Sequence, residues 1–387
     1  MFWTCLHSID ITLWLLTAFS VAYVAFFVIV SLIVRTRHKV SQSQVRESSF
    51  LVLFPAYSED KVIVRSVENF LLQSYSSERY HVAVISDHQK PVTNQLLSQL
   101  PISLLQPSFD HSSKAKALQY AIANMARDYD YVVILDADNI VNADFLRAVN
   151  NEMFHGHKVL QCHRCAKNSD SSISVLDGVS EEINNTIFRR AHNAIGLSSA
   201  LIGSGMCFEY LWFASHVNKL STAGEDRELE ARLLRERVFI SYADDILVYD
   251  EKVSSEDNFQ RHRQRWMSAQ IRSLIDMLPH LPKAMFSLNV NYVDKTIQQM
   301  LIPRSMLLVG TLFFSVLTTL YAPWWSLKWW LLFAMICLSL FMAIPQTMRT
   351  RALFGKVSVL GRLTWKMLKG VRHIDHKNKD FLHTTHE

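Results

Sequence analysis

Asp136 and Asp138 are the residues of this chain with the plainest chemical use. They follow the apolar run Val132-Val133-Ile134-Leu135, which reads as a strand buried in a parallel sheet, delivering polar groups at its C-terminal edge. Strand alternation sends both side chains to one face, where two carboxylates can converge on one cation or one diphosphate. An Asp-x-Asp by itself is equally a polar junction between strand and loop. Its neighbours give it weight. Glu59 follows the apolar run 50–55, and Asp87 ends the run 82–87. Gly203-Ser204-Gly205 lies between apolar stretches, where backbone can approach something closely. Gly224-Glu225-Asp226 opens a helix, although acids in a first turn also simply cap amides and suit the helix dipole. Arg261, Arg263, Arg265 and Trp266 crowd six positions of a further helix, a pattern that a solvated basic face also gives.

Those residues need a scaffold, and the periodicity supplies one. Segments 50–55, 82–87, 102–106 and 131–138 read as strands, and 62–73, 114–126 and 145–155 as helices. Alternation of this kind predicts an α/β sheet, mostly parallel, with ligands beyond the C-terminal strand ends. Later helices are expected over 227–235 and 258–277. No Gly-x-Gly-x-x-Gly or Walker loop occurs, and the chain has only 10 glycines, which argues against a glycine cradle for phosphate. A cation held by carboxylates is the remaining way to neutralise a diphosphate.

The 387 residues are 49% hydrophobic, and the excess is localised. Segments 11–34, 305–327 and 329–348 carry no charge and can each cross a hydrocarbon core, which takes about 20 residues. No Lys or Arg precedes the first, whereas Arg35, Arg37 and Lys39 follow it; Arg349, Arg351, Lys356 and six more basic residues follow the third. The positive-inside rule then places the N-terminus outside a plasma or inner membrane, with 35–304 and the tail in the cytosol. The turn 321–328, with Trp324, Trp325, Trp329 and Trp330 around it, reads as an aromatic belt. The net charge of +5 sits mostly beside these spans and calls for anionic headgroups, not nucleic acid. Five cysteines form no framework, and the lone Cys162-x-x-Cys165 reads as strand residues with reduced thiols.

Together these features resemble the inverting, membrane-bound glycosyltransferases of family 2, which include cellulose, chitin and hyaluronan synthases and ceramide glucosyltransferases. The resemblance runs from Phe50 to Met267. Pro55-Ala56-Tyr57-Ser58-Glu59 resembles the opening Pro-x-Tyr-Asn-Glu, with Ser58 where Asn is usual. Val84-Ile85-Ser86-Asp87 resembles the second-strand motif, and Ser113-Lys114-Ala115-Lys116-Ala117-Leu118 the Gly-Lys-x-x-Ala-Leu motif, with Ser113 for Gly. Asp136-Ala137-Asp138, Glu225-Asp226 and Arg265-Trp266 are similar to the metal, catalytic-base and Gln-x-x-Arg-Trp motifs, His262 standing where the Gln belongs.

The resemblance implies a GT-A-type nucleotide-binding sheet with three transmembrane helices and interfacial amphipathic helices, divided at 1–34, 35–280, 281–304, 305–348 and 349–387. It implies a nucleotide-sugar donor, UDP-linked in the first instance, and Mg²⁺ or Mn²⁺ on Asp138 and Asp136. Tyr57, Glu59, Asp87, Lys114, Asp136, Arg263 and Arg265 would hold the nucleotide, Asp226 would be the base, and Gly203, Ser204, Glu225 and Trp266 would face the acceptor. That acceptor is a polysaccharide or a lipid, and three helices exporting a polymer would need a homo-oligomer or an export partner. Phe381–His386 is similar to a gating loop, with Thr384 and His386 as its polar members; 353–371 reads as an amphipathic helix that would carry it back along the bilayer. Intact Asp136, Asp138 and Asp226 argue against a subunit that only scaffolds a partner synthase, and the uncharged spans against a transporter.

Overall fold

The computed structural model describes residues 2–34, 46–125, 129–222 and 224–356. In chain order, α1 (Phe2–Ile33) precedes β1 (Phe50–Tyr57), α2 (Ile63–Phe70), β2 (Tyr80–Asp87), α3 (Pro91–Leu97), β3 (Ser103–Leu105), α4 (Lys114–Asn124) and β4 (Tyr131–Ile134). β5 (Ile140–Val141), α5 (Phe145–Phe154), β6 (Val159–Ala166), α6 (Ser172–Asn184), α7 (Ala191–Ala194), β7 (Met206–Glu209), α8 (Tyr210–Val217), α9 (Glu225–Arg235) and β8 (Ile240–Asp250) follow. Then come α10 (Glu256–Met277), α11 (Leu281–Phe286), α12 (Val290–Met300), α13 (Arg304–Tyr321), α14 (Pro323–Ala343) and α15 (Arg351–Lys356).

The strands form one sheet in the order β3-β2-β1-β4-β7-β6-β8-β5. β3, β2, β1 and β4 run parallel, but β7 is antiparallel to both β4 and β6, and β5 is antiparallel to β8. The expectation of a mostly parallel sheet therefore holds for one half; the other half is mixed. Strand direction is set by how each connection returns to the sheet, which periodicity does not report. Alternation along β1 sends Leu51 and Leu53 to one buried layer and Phe50, Val52 and Phe54 to the other. Burial on both faces explains why the strands read as unbroken apolar runs.

A second correction concerns the strand before Asp136. β4 ends at Ile134, four residues short of the expected limit. Asn139 N donates to the Asp136 carbonyl and Asp136 N to Asn139 Oδ1, both at 3.0 Å, closing a tight turn. Asp136 and Asp138 are thus presented by a turn and not by strand alternation.

A third apolar layer joins the sheet unit to long helices. Val21, Val24, Phe27 and Val28 of α1 pack with Leu176, Val179 and Ile183 of α6 and with Leu332 and Ile336 of α14. A π-wound turn, Asn185–Arg190, continues α6 into α7. Residues Leu6–Ile33, Arg304–Tyr321 and Pro323–Ala343 form three helices long and apolar enough to cross a membrane. The break between the last two falls at Ala322, earlier than expected, because Pro323 pushes the residue before it out of helical geometry (φ −150°, ψ 74°). The aromatic turn is also less lipid-facing than its composition suggests. Trp325 and Trp329 donate to Asp10 at 2.6 and 2.8 Å, Lys328 pairs with the same carboxylate, and Trp329 is fully buried. Those contacts pin α1 to the start of α14.

Candidate active site

One cavity of about 1040 Å³ opens along the C-terminal ends of β1, β2 and β4 and continues between α6, α10 and the apolar helices. Tyr57, Glu59, Asp87, Lys114, Asp136, Asp138, Gly203, Glu225, Asp226, Arg263, Arg265 and Trp266 all line it. Ser204 does not: it is fully buried, with its hydroxyl unpartnered among the described residues. Thr384 and His386, with the tail helix expected over 353–371 beyond Lys356, lie outside the described residues.

Local chemistry explains the placement. Ser113 caps α4 by accepting from Lys116 N at 3.2 Å, so Lys114 starts the helix beside the sheet edge. Its ammonium donates to Asp136 Oδ1 and, at 2.8 Å, to the Gly203 carbonyl, and it lies 3.5 Å from Glu225 Oε1. Burial works against the Lys114 charge, but Asp136 and Glu225 more than offset it, and the group titrates above the usual lysine range. Glu225 moves the other way. Burial is the main cause, Lys114 opposes it, Asp226 adds to it, and the carboxyl is pushed up to about 7.

Gly203 sits at the centre of this group with φ +80°. A Cβ there would lie 3.8 Å from Asp226 Oδ2 and from Lys114 Nζ, and 3.9 Å from Glu225 Oε1. The backbone therefore approaches the acids as closely as a side chain would elsewhere. At the other rim, Ser58 adopts φ +53° and donates its N–H to the Asp87 carbonyl at 3.0 Å. Asn enters that left-handed region more readily than Ser, which gives the departure at Ser58 a backbone meaning.

Behind Asp138 stands a buried network absent from the sequence reading. Asn139 Nδ2 donates to Asp138 Oδ1 and to Asp250 Oδ1, each at 3.1 Å, and Glu251 N donates to Asp138 Oδ2 at 2.8 Å. Lys252 binds Asp250 at 2.7 Å and also pairs with Glu181, which takes a 2.6 Å bond from Arg164 Nε. Burial opposes the Asp250 charge, yet Arg164 and Lys252 hold its carboxyl well below the usual range. Asn139, following Asp138 directly, was the one available signal; the other partners share no spacing with it. Cys162 and Cys165 lie on β6 as free thiols, so that pair serves the strand.

Among the described residues, no three His, Cys, Asp or Glu side chains gather to hold a metal by themselves. The donor set still fits a hard divalent ion that arrives with a diphosphate, since such ions take one or two carboxylates and complete their shell with phosphate and water. On α10, Arg263 turns to α6, donating to Asp177 Oδ1 at 2.9 Å and Ser180 Oγ at 3.0 Å. The His262 ring lies 4.7 Å from that of Trp266. Burial, helped by Arg265 and Arg263, holds His262 well below the ordinary imidazole value, so the ring is neutral.

The family model described as glycosyl transferase family group 2 matches residues 131–344, and that described as glycosyl transferase family 2 matches residues 51–209. No curated protein matches the chain. Among solved structures, the mannosyltransferase PcManGT from Pyrobaculum calidifontis, in complex with GDP-Man and Mn²⁺, is similar at 14% identity and a TM-score of 0.52, covering 85% of this chain and 97% of that one. TarS 1-349 from S. aureus is similar at 14% identity and a TM-score of 0.44, covering 85% and 95%. The likeness to the mannosyltransferase shows the GT-A fold. With more than half of its length inside the group 2 model, this chain belongs to the family 2 glycosyltransferases.

Proposed function

We propose that the protein is a membrane-bound, metal-dependent, inverting hexosyltransferase, moving a sugar from a nucleoside-diphosphate donor to an acceptor that arrives from the bilayer. The observation that carries this reading is the cavity itself. One end is lined by Asp87, Asp136, Asp138 and Asp226, the other by Leu308, Leu340 and Phe341 of the apolar helices.

Tyr57, Glu59 and Asp87 hold the nucleoside. Mg²⁺ or Mn²⁺ on Asp138 and Asp136 supplies Lewis-acid neutralisation of the diphosphate when bound. The similar mannosyltransferase was solved with Mn²⁺ and a nucleotide sugar, which supports the choice of ion and donor class. Arg265 adds charge to the leaving side of the site. Asp226 takes the proton of the acceptor hydroxyl as its oxygen bonds to the anomeric carbon, and the carbon–oxygen bond to the diphosphate breaks with its electron pair leaving on the nucleotide. One displacement inverts the centre. Gly203 and Glu225 shape the acceptor side, Trp266 offers a stacking face, and the Ser204 role falls to its backbone.

The basic residues after α1 and α14 support a cytosolic sheet unit and tail with the N-terminus outside. Exposed Phe286 and Leu288 beside Lys283 support an interfacial segment over 281–304. We keep the division 1–34, 35–280, 281–304, 305–348 and 349–387 on the same grounds.

Purified full-length protein in nanodiscs, offered a panel of nucleotide sugars with Mn²⁺, should release nucleoside diphosphate and glycosylate a lipid or polymer fraction with the anomeric configuration opposite to the donor. Retention of the donor configuration would remove the single-displacement mechanism.

A further inference from the structure

At the membrane end of the cavity Arg304, Arg263 and Arg189 gather, and among the described residues Asp177 is the one carboxylate bonded directly to any of them. Arg304, the first residue of α13, donates through Nη2 to the Ser180 carbonyl at 3.1 Å and to its hydroxyl at 3.3 Å. Its Nη1 is buried and, among the described residues, has no hydrogen-bond partner. The charges of Arg263 and Arg189 both bear on it. Arg263 has its bond to Asp177, whereas Arg189 donates to neutral oxygens, the Ala200 carbonyl at 3.1 Å and Asn185 Oδ1 at 2.7 Å. Leaving a buried donor without a partner is costly, and more so for a charged group. An anion is the ligand that removes this cost, and the planar fork of a guanidinium suits phosphate.

Two surroundings narrow the choice. Within the same cavity the wall beyond Arg304 is apolar, built by Leu308, Leu340, Phe341 and Ile344. The opposite end is acidic, with Asp136, Glu225 and Asp226. A phosphate is thus drawn to the arginines and repelled from the base, while an uncharged hydroxyl is free to reach Asp226. Resting on the glycosyltransferase reading, we infer that the acceptor is a phosphate-bearing membrane lipid. Its phosphate docks on Arg304 and Arg263, its chains follow the α13–α14 wall, and a headgroup hydroxyl is the attacking group. The hydroxyl oxygen bonds to the anomeric carbon, its proton passes to Asp226, and the nucleoside diphosphate departs with the electron pair of the broken bond.

Full-length protein in dodecyl maltoside micelles provides the test, with phosphatidylglycerol, phosphatidic acid or diacylglycerol added in separate arms. These carry phosphate and hydroxyl, phosphate alone, and hydroxyl alone in their headgroups. Native mass spectrometry should find both phosphate lipids held roughly 10-fold or more tighter than diacylglycerol, in keeping with charge-assisted bonds. Arg304→Gln should erase that preference, Leu308→Trp should weaken phosphatidylglycerol retention, and sugar should transfer to phosphatidylglycerol among the three. Equal retention of diacylglycerol, or an unchanged preference in Arg304→Gln, overturns the phosphate site. Displacement of the lipid by inorganic phosphate at equal concentration, or full retention in Leu308→Trp, overturns the chain path. Glycosylation of phosphatidic acid overturns the hydroxyl assignment. Calorimetry with UDP and GDP runs alongside: failure of the wild type to bind either would sink the glycosyltransferase reading, whereas intact nucleotide binding without lipid preference would sink the lipid alone and shows that the variants are folded.

Discussion

Glu225 Oε1 lies 3.5 Å from Lys114 Nζ, placing a carboxyl directly before the proposed base in contact with the cation that also holds Asp136. The folded Glu225 carboxyl is pushed up to about 7, above its ordinary 4.5, chiefly by burial. A raised acid binds its proton more tightly when folded, so this contribution to stability is present below pH 4.5 and is lost as pH rises through about 7. Melting temperatures measured across that window should fall with pH, and Glu225→Gln should flatten the slope. An identical slope in the variant would remove Glu225 as the source.

Asp226→Asn should keep nucleotide affinity within a few-fold and lower transfer by roughly 10²–10⁴-fold, the usual contribution of a general base. Calorimetry and turnover measured on one preparation separate the two effects. Near-wild-type turnover would move the base elsewhere.

Asn139 reaches Asp138 and Asp250 with one amide, so it orients a proposed metal ligand without touching the ion. Asn139→Ala should weaken Mn²⁺-dependent binding of the nucleoside diphosphate by roughly 10–100-fold, as loss of outer-shell partners does. Asp138→Ala should abolish the Mn²⁺ dependence altogether. If affinity with and without Mn²⁺ stayed the same in both variants, the metal assignment would be wrong.

Gly203→Ala meets one obstacle, a φ of +80°, because the nearest side-chain atoms leave ordinary contact distances for the new carbon. The conformational strain alone is about 1–2 kcal/mol. Transfer should drop further than stability does, because relief of that strain moves the Gly203 carbonyl that holds Lys114. A variant with normal turnover and a normal melting temperature would show that the close approach has no role.

Much of this molecule was legible along the chain. Burial on both faces made β1, β2 and β4 read as apolar runs, and the polar residues ending them stood out because strand ends meet solvent and ligand. Length and apolar content identified three helices able to cross a membrane, since a bilayer imposes the same requirement on any sequence. Most of the motifs that line the cavity were legible because they sit at element boundaries, where residue type is constrained locally; Arg265-Trp266, in the middle of α10, is the exception. Other features belong to distance. That β7 runs against β4 depends on the path of the connection; that Asp138 is held through Asn139 and Asp250 depends on chain returning 111 residues later. Asp10 meets its partners Trp325, Lys328 and Trp329 only in the fold, more than 300 residues along the chain. Arg304 looked like the end of an interfacial stretch until α6 and α10 carried Ser180 and Arg263 to its side. Local propensity and periodicity act over a few residues and can be read in order, whereas the charge balance of a buried cavity is summed over every segment that reaches it, which only the tertiary structure decides.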